Sequence, residues 1–394
     1  MRLSVISHSS VLEINQKMFA ALASHGVLLQ MIVPARWKED IQGQQRDARL
    51  SAALDAVWVT APVWQSGSVP LHAYRLDLRR QFYLFQPDAI YCENESYALS
   101  TFQAALSNRL SVRKPFFFRN NQNIQKVLPT PFRQAESFVL RHAACANLVS
   151  EEAGACLRQK GYKGRMAYLP YGIDCELYQP VDARELRNRW GNPGFVFGYL
   201  GRMVPEKGVS HLLEAFRRFH PEEDVALVVC GHGPLRDALM AQADHPGLRG
   251  RVHFEPPIAH ADAPRFLSAL DTLVLPSITT ERWKEQFGRV LLEAAACGTP
   301  VIGSTSGEIP HLIKRLGHGM IVAEADTSEL YRAMRRMLEQ PALLEEMREM
   351  GRREAVEQFA NEALGYRFYQ LLESVIHATR TDIDPEVSTG IDEA

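Results

Sequence analysis

The sequence predicts an α/β protein of two domains, each built on a doubly wound parallel sheet. Apolar runs of about four to seven residues alternate with helical patterns of about ten to fifteen along most of the 394 residues. A chain of this length is typical of two domains. The segment 170–174, Pro-Tyr-Gly-Ile-Asp, breaks the alternation, and the same pattern begins again after it. We therefore interpret this segment as the connection between the domains.

The first half of the chain follows the pattern closely. We predict strands at 3–7, 27–33, 55–60, 88–92, 115–118, 146–150 and 165–169. We predict helices at 13–24, 71–85, 96–106, 132–142 and 151–160. Residues 36–50 are polar and lack a clear period, which indicates a loop or a frayed helix. Polar turns at 8–12, 93–96 and 119–123 follow strands, and ligands of parallel sheets bind at such carboxyl ends.

The second half repeats the alternation. We predict strands at 195–200, 225–230, 252–255, 272–275 and 301–303, helices at 209–219, 289–297 and 361–377, and more than one helix within 328–355. The last helix is long enough to return to the first domain. We thus predict an N-terminal domain over 1–174 joined by a helix at about 361–378, a C-terminal domain over 175–360, and a disordered tail over 379–394.

Composition and the absence of several motifs exclude some classes of protein. The six cysteines form no Cys-x-x-Cys pair, which argues against a zinc site or a disulfide framework and favours a reducing cytosol. Residues 1–7 lack a cleavage-like region, and no stretch approaches the roughly 18 apolar residues of a membrane span. Neither a P-loop nor a Gly-x-Gly-x-x-Gly after the first strand is present, which argues against an NTPase and an NAD enzyme.

The segment 276–310 contains two glutamates with seven residues between them, Glu285 and Glu293. The helix predicted at 289–297 is apolar on every side apart from Glu293, and a helix of that kind is normally buried. A carboxylate inside a packed element is costly unless something partners it. Glu293 is therefore predicted to be a buried charge that needs a partner rather than a solvated surface residue.

Three glycine-bearing turns, at 201–208, 231–234 and 303–307, follow strands of the second half. Glycine lets the backbone approach a ligand closely, and helix N-termini present free N–H groups to anions. The first turn adds Arg202 and Lys207, two cations that can hold phosphate oxygens. Cations are unfavourable at a helix start, which disfavours a purely structural role. The turns indicate a phosphate-bearing ligand.

These motifs, taken in order, resemble a known family. Gly201-Arg202-x4-Lys207-Gly208, Gly231-x-Gly233-Pro234, Glu285-x7-Glu293 and Gly298-x-Pro300 look like the retaining family 4 glycosyltransferases of GT-B architecture. The resemblance covers about 110 residues, and the 170–174 segment resembles the hinge of the family. It implies two Rossmann-like domains that face a central cleft, and a nucleotide diphosphate sugar as donor substrate.

The resemblance also implies roles for individual residues. Arg202 and Lys207 would hold the diphosphate, Glu285 the donor sugar and Glu293 the ribose hydroxyls. The remaining donor-side candidates, by the same resemblance, are Gly201, Gly231, Gly233, Pro257, Ile258, Gln286, Phe287 and Gly288. Arg202, Lys207 and Glu285 would act in catalysis by positioning and electrostatic stabilisation, with no metal and no other cofactor.

On the acceptor side the sequence departs from the family. His8-Ser9-Ser10 replaces a Gly-Gly turn, and Arg119-Asn120-Asn121 stands where many members carry a histidine. His8, Glu93, Glu95, Arg119 and Asn121 are acceptor-side candidates by their position at strand ends. His8 is equally compatible with an ordinary turn residue.

The expected activity is transfer of a hexosyl unit to a glycan or lipid-linked acceptor in cell-surface polysaccharide or glycoconjugate synthesis. A nucleotide-sugar epimerase of the same architecture and a non-catalytic nucleotide-sugar-binding scaffold remain alternatives. Residues 1–175 carry 20 Lys and Arg against 13 Asp and Glu, a net +7. With Arg75, Arg79 and Arg80 near Tyr74, Phe82 and Tyr83, this suggests peripheral contact of a cytoplasmic protein with an anionic membrane, or only a solvated basic helix face. No nucleic-acid partner is expected.

Overall fold

The computed structural model describes residues 1–38 and 45–381. The chain divides into two compact units. The first comprises Met1–Pro170 together with the segment from Asn361 onward, and the second comprises Tyr171–Ala360. Most of the tail predicted to be disordered, residues 382–394, lies outside the described residues.

The first unit contains eleven strands and five helices among its described residues up to Pro170. The strands are β1 Arg2–Ile6, β2 Leu28–Pro34, β3 Arg36–Lys38, β4 Gln45–Asp47, β5 Ala56–Ala61, β6 Val63–Trp64, β7 Ala73–Tyr74, β8 Ala89–Cys92, β9 Phe116–Asn120, β10 Cys145–Leu148 and β11 Arg165–Tyr168. The helices are α1 Lys17–Ser24, α2 Leu78–Phe85, α3 Leu99–Leu110, α4 Thr130–His142 and α5 Glu151–Gln159.

Seven of these strands form one parallel sheet in the order β11-β10-β9-β8-β1-β2-β5. The central strand β8 is buried at every position, because helices cover both faces of a sheet of this kind. The register pairs Ile6 with Cys92, so the turns that follow β1 and β8 leave the sheet side by side.

Two predictions for this unit were wrong. Within the segment 36–50, predicted as a loop or a frayed helix, the described residues Arg36–Lys38 and Gln45–Asp47 form the antiparallel pair β3 and β4, with Trp37 opposite Arg46, while residues 39–44 lie outside the described residues. The helix predicted at 71–85 begins only at Leu78, because the Asp77 carboxylate caps it by accepting the N–H groups of Arg79 and Arg80. The preceding residues form β7, which pairs with β6.

The second unit contains six strands and eight helices in residues 171–360, all of which the structure describes. The strands are β12 Phe195–Leu200, β13 Val225–Cys230, β14 Val252–Glu255, β15 Thr272–Leu275, β16 Val301–Ser304 and β17 Gly319–Val322. The helices are α6 Arg184–Arg189, α7 Val209–Phe216, α8 Arg236–Ala243, α9 Ala263–Ser268, α10 Arg289–Ala296, α11 Ile309–Leu316, α12 Thr327–Glu339 and α13 Pro341–Glu354.

All six strands form a parallel sheet in the order β14-β13-β12-β15-β16-β17. Strand β13, with the sequence Val-Ala-Leu-Val-Val-Cys, is apolar and buried at every position, as expected for a strand of a parallel sheet covered on both faces. The order changes direction at β12 and β15, which are adjacent in the sheet although β13 and β14 lie between them in sequence. Ligands bind at such a switch point, outside the carboxyl ends of the strands.

The last helix among the described residues, α14 Asn361–Thr381, belongs to the first unit and packs against α1. Leu364, Phe368 and Leu372 are fully buried and share a hydrophobic core with Phe19 and Leu22 of α1. Each unit is therefore a doubly wound α/β domain, and the predicted fold class of two Rossmann-like domains is confirmed.

Candidate active site

The candidate site is a cavity of about 470 Å³ in the second unit, at the carboxyl edge of its sheet. Nine of the residues predicted from the sequence line it, namely Gly201, Arg202, Lys207, Ile258, Glu285, Gln286, Phe287, Gly288 and Glu293. These residues come from turns after β12, β14 and β15 and from α10. Three predicted donor-side residues, Gly231, Gly233 and Pro257, do not line the cavity.

The cavity contains one tightly paired cation. The Lys207 ammonium lies 2.5 Å from Oε2 of Glu285, and the Ser277 hydroxyl donates to the same oxygen at 3.1 Å. The Glu285 side chain is only 10% exposed and that of Lys207 14%. The pair therefore holds a positive charge at a fixed place at the edge of the sheet.

Arg202 has different surroundings. Its carbonyl accepts a hydrogen bond of 2.6 Å from Tyr199 Oη, which fixes the turn after β12. Its side chain is exposed and forms no hydrogen bond or ion pair with any residue that the structure describes. The guanidinium, with five N–H donors, is thus available to an anion in the cavity.

Glu293 lies in α10 among fully buried neighbours, and its own side chain is half-buried because it faces the cavity. Burial raises the pKa of its carboxyl group, while the charges of Arg289 and His260 act in the opposite direction. Among the described residues its carboxylate has no hydrogen-bond partner. A ligand hydroxyl would satisfy it without displacing a protein group.

The glycine turns have an additional structural cause. At Gly231, with φ of 139°, a Cβ atom would lie 1.9 Å from the carbonyl oxygen of Gly201. At Gly307, with φ of 55°, it would lie 1.9 Å from the carbonyl oxygen of Glu285. Neighbouring turns thus contact each other through their backbones, and this contact requires glycine whatever ligand is bound.

Sequence reasoning missed several residues of the site. His260 and Arg289 line the cavity, and the ring of Tyr171 contacts that of Phe287 with centroids 5.4 Å apart. The Tyr178 hydroxyl lies 3.3 Å from His260 Nδ1, which fixes the imidazole at the turn that precedes α9. The position of His260 after the strand that ends at Glu255 was the only signal that could have identified it.

In the first unit, the acceptor-side candidates lie at the carboxyl edge of the sheet, where Glu93 contacts Arg119. Glu93 accepts hydrogen bonds from the hydroxyls of Ser7 at 2.6 Å and Ser9 at 2.9 Å. Its other oxygen lies 3.3 Å from Nη1 of Arg119. The Arg119 Nε–H also donates to the Tyr91 hydroxyl at 3.1 Å. This group links the ends of β1, β8 and β9.

The second acceptor-side pair is Glu95 with Asn121. The backbone N–H of Asn121 donates to both carboxylate oxygens of Glu95, at 3.1 and 3.3 Å. Burial raises the pKa of Glu95 to about 7, against the opposing effects of the Asn121 N–H and the charges of Lys160 and Lys126. Glu95 thus connects the turns that follow β8 and β9.

His8 belongs to a cluster of rings. Its ring centroid is 5.0 Å from that of Trp37 and 5.2 Å from that of His72. Burial, with a smaller effect of His72, lowers the pKa of His8 to about 3, so the imidazole is neutral near pH 7. Its Nδ1 atom is buried without a hydrogen-bond partner among the described residues. The structure does not place His8 in contact with the Glu93 group.

Comparison with solved structures agrees with the two-domain α/β fold. Solved structures with the same two-domain α/β fold include a sucrose-phosphate synthase from Thermosynechococcus elongatus, 20% identical, with a TM-score of 0.71 over 96% of this chain and 100% of that one. Anabaena HepE in complex with UDP is 19% identical, with a TM-score of 0.71 over 95% and 100% of the two chains. At these identities the likeness concerns the fold.

Sequence comparison finds a family model that matches within the second unit. Residues 182–354 match the family model described as "Glycosyl transferases group 1". The match lies entirely within the second unit, and it agrees there with the predicted resemblance to glycosyltransferases.

Two relatives are similar over part of their length. An MMP alpha-(1->4)-mannosyltransferase of Mycolicibacterium hassiacum is 30% identical over 53% of this chain and 48% of its own. A 2-deoxystreptamine glucosyltransferase of Streptomyces kanamyceticus is 29% identical over 61% of this chain and 62% of its own. The chain therefore spans about half the length of the first relative and less than two thirds of the second.

Proposed function

We propose that the protein is a retaining glycosyltransferase that moves a hexosyl unit from a nucleotide diphosphate sugar to a glycan or lipid-linked acceptor. The observation that carries the proposal is the set of charges in one cavity of the second unit. An exposed guanidinium, an ammonium held in place by a carboxylate, and a carboxylate without a hydrogen-bond partner lie together there. These groups match a diphosphate on one side and a diol on the other.

Each group has one role in the proposed reaction. Arg202 and Lys207 bind the diphosphate and stabilise the negative charge that develops when it leaves the sugar. Glu285 accepts hydrogen bonds from the sugar hydroxyls, and Glu293 accepts those of the ribose. The N-terminus of α10 supplies backbone N–H groups at the same cavity.

The bond between the anomeric carbon and the phosphate oxygen breaks, and the acceptor hydroxyl forms the new bond on the same face of the sugar. The leaving phosphate accepts the proton of the acceptor. The protein contributes position and charge, and the proposal requires neither a protein nucleophile nor a metal ion.

The proposed biological setting is surface polysaccharide or glycoconjugate synthesis on the cytoplasmic face of a membrane. No helix among the described residues is long and apolar enough to cross a bilayer. In α2, Arg79 and Arg80 are exposed, as are Tyr83 and Leu84 one turn further on, whereas Phe82 is buried. Residues four apart share a helix face, so α2 presents cations beside apolar groups, which suits a peripheral contact with anionic lipid.

Nucleotide-sugar binding is the first test. The melting temperature of the full chain should rise with one of UDP-glucose, GDP-mannose or ADP-glucose, because a ligand that binds only the native state stabilises it. The bound donor is then supplied with candidate acceptors, and NMR of the product should show the anomeric configuration of the donor. Absence of any shift with all three donors would refute the proposal. Release of an epimerised free sugar in the absence of acceptor would indicate the nucleotide-sugar epimerase. Binding of the donor without any turnover would indicate the non-catalytic scaffold.

Membrane contact is tested separately by co-sedimentation with phosphatidylglycerol and with phosphatidylcholine vesicles. The protein should sediment with the anionic vesicles, and replacing both Arg79 and Arg80 by Ala should reduce this. Equal sedimentation with the two lipids would refute the contact and leave the transferase proposal intact.

A further inference from the structure

Trp283 lies beside the paired cation of the second unit. Its indole ring is half-buried, and the ring centroid is 5.0 Å from the ammonium nitrogen of Lys207. The same ammonium also contacts the Glu285 carboxylate at 2.5 Å. Lys207 is therefore held between a negative charge and the electron-rich face of an aromatic ring.

The turn that carries the indole is held by its own hydrogen bonds. The N–H of Thr280 donates to the Trp283 carbonyl at 2.7 Å, and the Trp283 N–H donates to the Thr280 hydroxyl at 3.0 Å. One residue earlier, the N–H and the hydroxyl of Thr279 both donate to the Glu324 carboxylate, at 2.5 and 2.9 Å. These hydrogen bonds fix the backbone of the turn from which the indole side chain extends.

A lysine side chain has four rotatable bonds, and holding it in one conformation costs conformational entropy. Glu285 alone would hold the ammonium but would also neutralise it. A ring face attracts the cation without adding a formal negative charge. The two contacts together give a fixed ammonium that keeps donor capacity for a third partner.

We propose that Trp283 is a positioning residue that holds the Lys207 ammonium ready for the second phosphate of a nucleoside diphosphate. This inference rests on the proposed function, because it takes the diphosphate as the ligand of Lys207. It adds a residue outside the set predicted from the sequence, and it assigns to an aromatic side chain the task of orienting a charge.

The affinity ratio of UDP to UMP measures this contact, because the two nucleotides differ only in the second phosphate. Calorimetric titration of the full chain with UDP and with UMP gives this ratio. If uridine nucleotides do not bind, the pair GDP and GMP or the pair ADP and AMP is used instead. Trp283→Leu should reduce the ratio about 3- to 30-fold, the range expected for a desolvated cation–π contact. Trp283→Phe, which keeps a ring face, should restore most of it.

A double-mutant cycle separates this role from a general effect on the loop. In a Lys207→Ala background, Trp283→Leu should change the ratio no further, because the cation that it positions is gone. Tyr331→Leu is the matched control, since it removes a contact of 4.9 Å between the Arg218 guanidinium and a ring outside the cavity, and it should leave the ratio unchanged.

Two outcomes would overturn the inference. Equal losses of UDP and UMP affinity in Trp283→Leu would show that the ring only supports the loop. If Trp283→Leu reduced the UDP to UMP affinity ratio equally in the wild-type and Lys207→Ala backgrounds, the ring would act on a group other than Lys207. If Lys207→Ala leaves the ratio at its wild-type value, or if none of the diphosphates binds, the proposed function itself fails.

Discussion

The carboxyl edges of the two sheets are both rich in charged side chains, but those side chains have different partners. In the first unit, Glu93 accepts two serine hydroxyls and contacts Arg119, and both oxygens of Glu95 accept a backbone N–H. In the second unit, the Glu293 carboxylate and the Arg202 guanidinium form no hydrogen bond with the described residues. Charged side chains that are paired with protein groups hold turns in place. Charged side chains that line a cavity without a protein partner can bind a ligand.

Charged residues at strand ends can thus stabilise turns as well as bind ligands. Position alone made Glu93, Glu95, Arg119 and Asn121 candidates for an acceptor site. Their contacts show that they connect β1, β8 and β9, and any acceptor would meet a network that is already formed. The comparison predicts that substitutions in the first unit act mainly on stability and that those in the second act mainly on ligand binding.

The largest expected effect is on stability, from Arg119→Met in the first unit. The guanidinium is only 5% exposed, and its loss leaves the buried Glu93 charge without a cation. We expect a loss of about 3–5 kcal/mol in the free energy of unfolding. Urea denaturation measures it, with hydrogen exchange of β8 and β9 assigning the change to this unit.

The matched control is the double variant Arg119→Met with Glu93→Gln, which removes both charges and should recover much of the loss. A single variant as stable as the wild type would contradict the comparison, because the pair would then not be holding the edge together.

Lys207→Ala should have the next largest effect, and on turnover. Removal of one cation that stabilises a leaving diphosphate should cost about 2–4 kcal/mol of transition-state stabilisation, or roughly 30- to 1000-fold in kcat/KM. Steady-state transfer from the identified donor measures this. Lys314→Ala, an exposed lysine of α11 outside the cavity, is the control and should behave as the wild type. A transfer rate unchanged in Lys207→Ala would contradict the diphosphate role.

Glu95 gives the first unit a pH dependence. Burial raises the pKa of this carboxyl group from 4.5 to about 7, so the folded state retains a proton that the unfolded chain has lost. The native state is therefore destabilised as pH rises from about 4.5 to 7, by roughly 3 kcal/mol at about 1.4 kcal/mol per unit. Below the unfolded pKa this effect is absent.

Glu95→Gln removes the titration but keeps an oxygen for the Asn121 N–H. The difference in unfolding free energy between variant and wild type should therefore shift in favour of the variant across that pH range. Urea denaturation at several pH values between 4 and 8 tests it. A difference that stays constant with pH would show that Glu95 does not titrate in this way.

Glu293→Gln should have the smallest of these effects, and it tests the second unit. We expect a loss of about 10- to 100-fold in nucleotide affinity, because a charged acceptor of hydroxyl hydrogen bonds is replaced by a neutral one. Calorimetry with UDP and 2′-deoxy-UDP measures it, and the variant should discriminate less between the two. Glu349→Gln on the exposed face of α13 serves as the control. Unchanged discrimination would remove the ribose from the role of Glu293.

Much of the fold was predictable because the chain alternates apolar strands with amphipathic helices. The seven strands of the first sheet and five of the six in the second were predicted, whereas β17 was not, since its Gly-Met-Ile-Val is short and only partly buried. The helix α2 was predicted too long, because the cap at Asp77 and the pairing of β6 with β7 depend on specific contacts that periodicity does not reveal.

The candidate site was predictable where a motif has fixed spacing within a few turns of chain. Glu285, Glu293, Arg202 and Lys207 were identified in this way, and all four line one cavity. His260 and Trp283 were missed because their importance depends on partners distant in sequence, Tyr178 and Lys207. Such contacts between turns become visible only when the sheet brings the strand ends together.

The segment from Tyr171 to Ala360 is continuous, and its ends lie side by side, since Ile173 and Ala360 form a parallel β-bridge. The first unit, by contrast, lacks α14 until translation has passed through the whole second unit. During synthesis the ribosome thus delivers a complete second domain while the core of the first still exposes the surface of α1 that Phe368 and Leu372 later cover. The helix α14 therefore completes the first unit only after the whole second unit has been made.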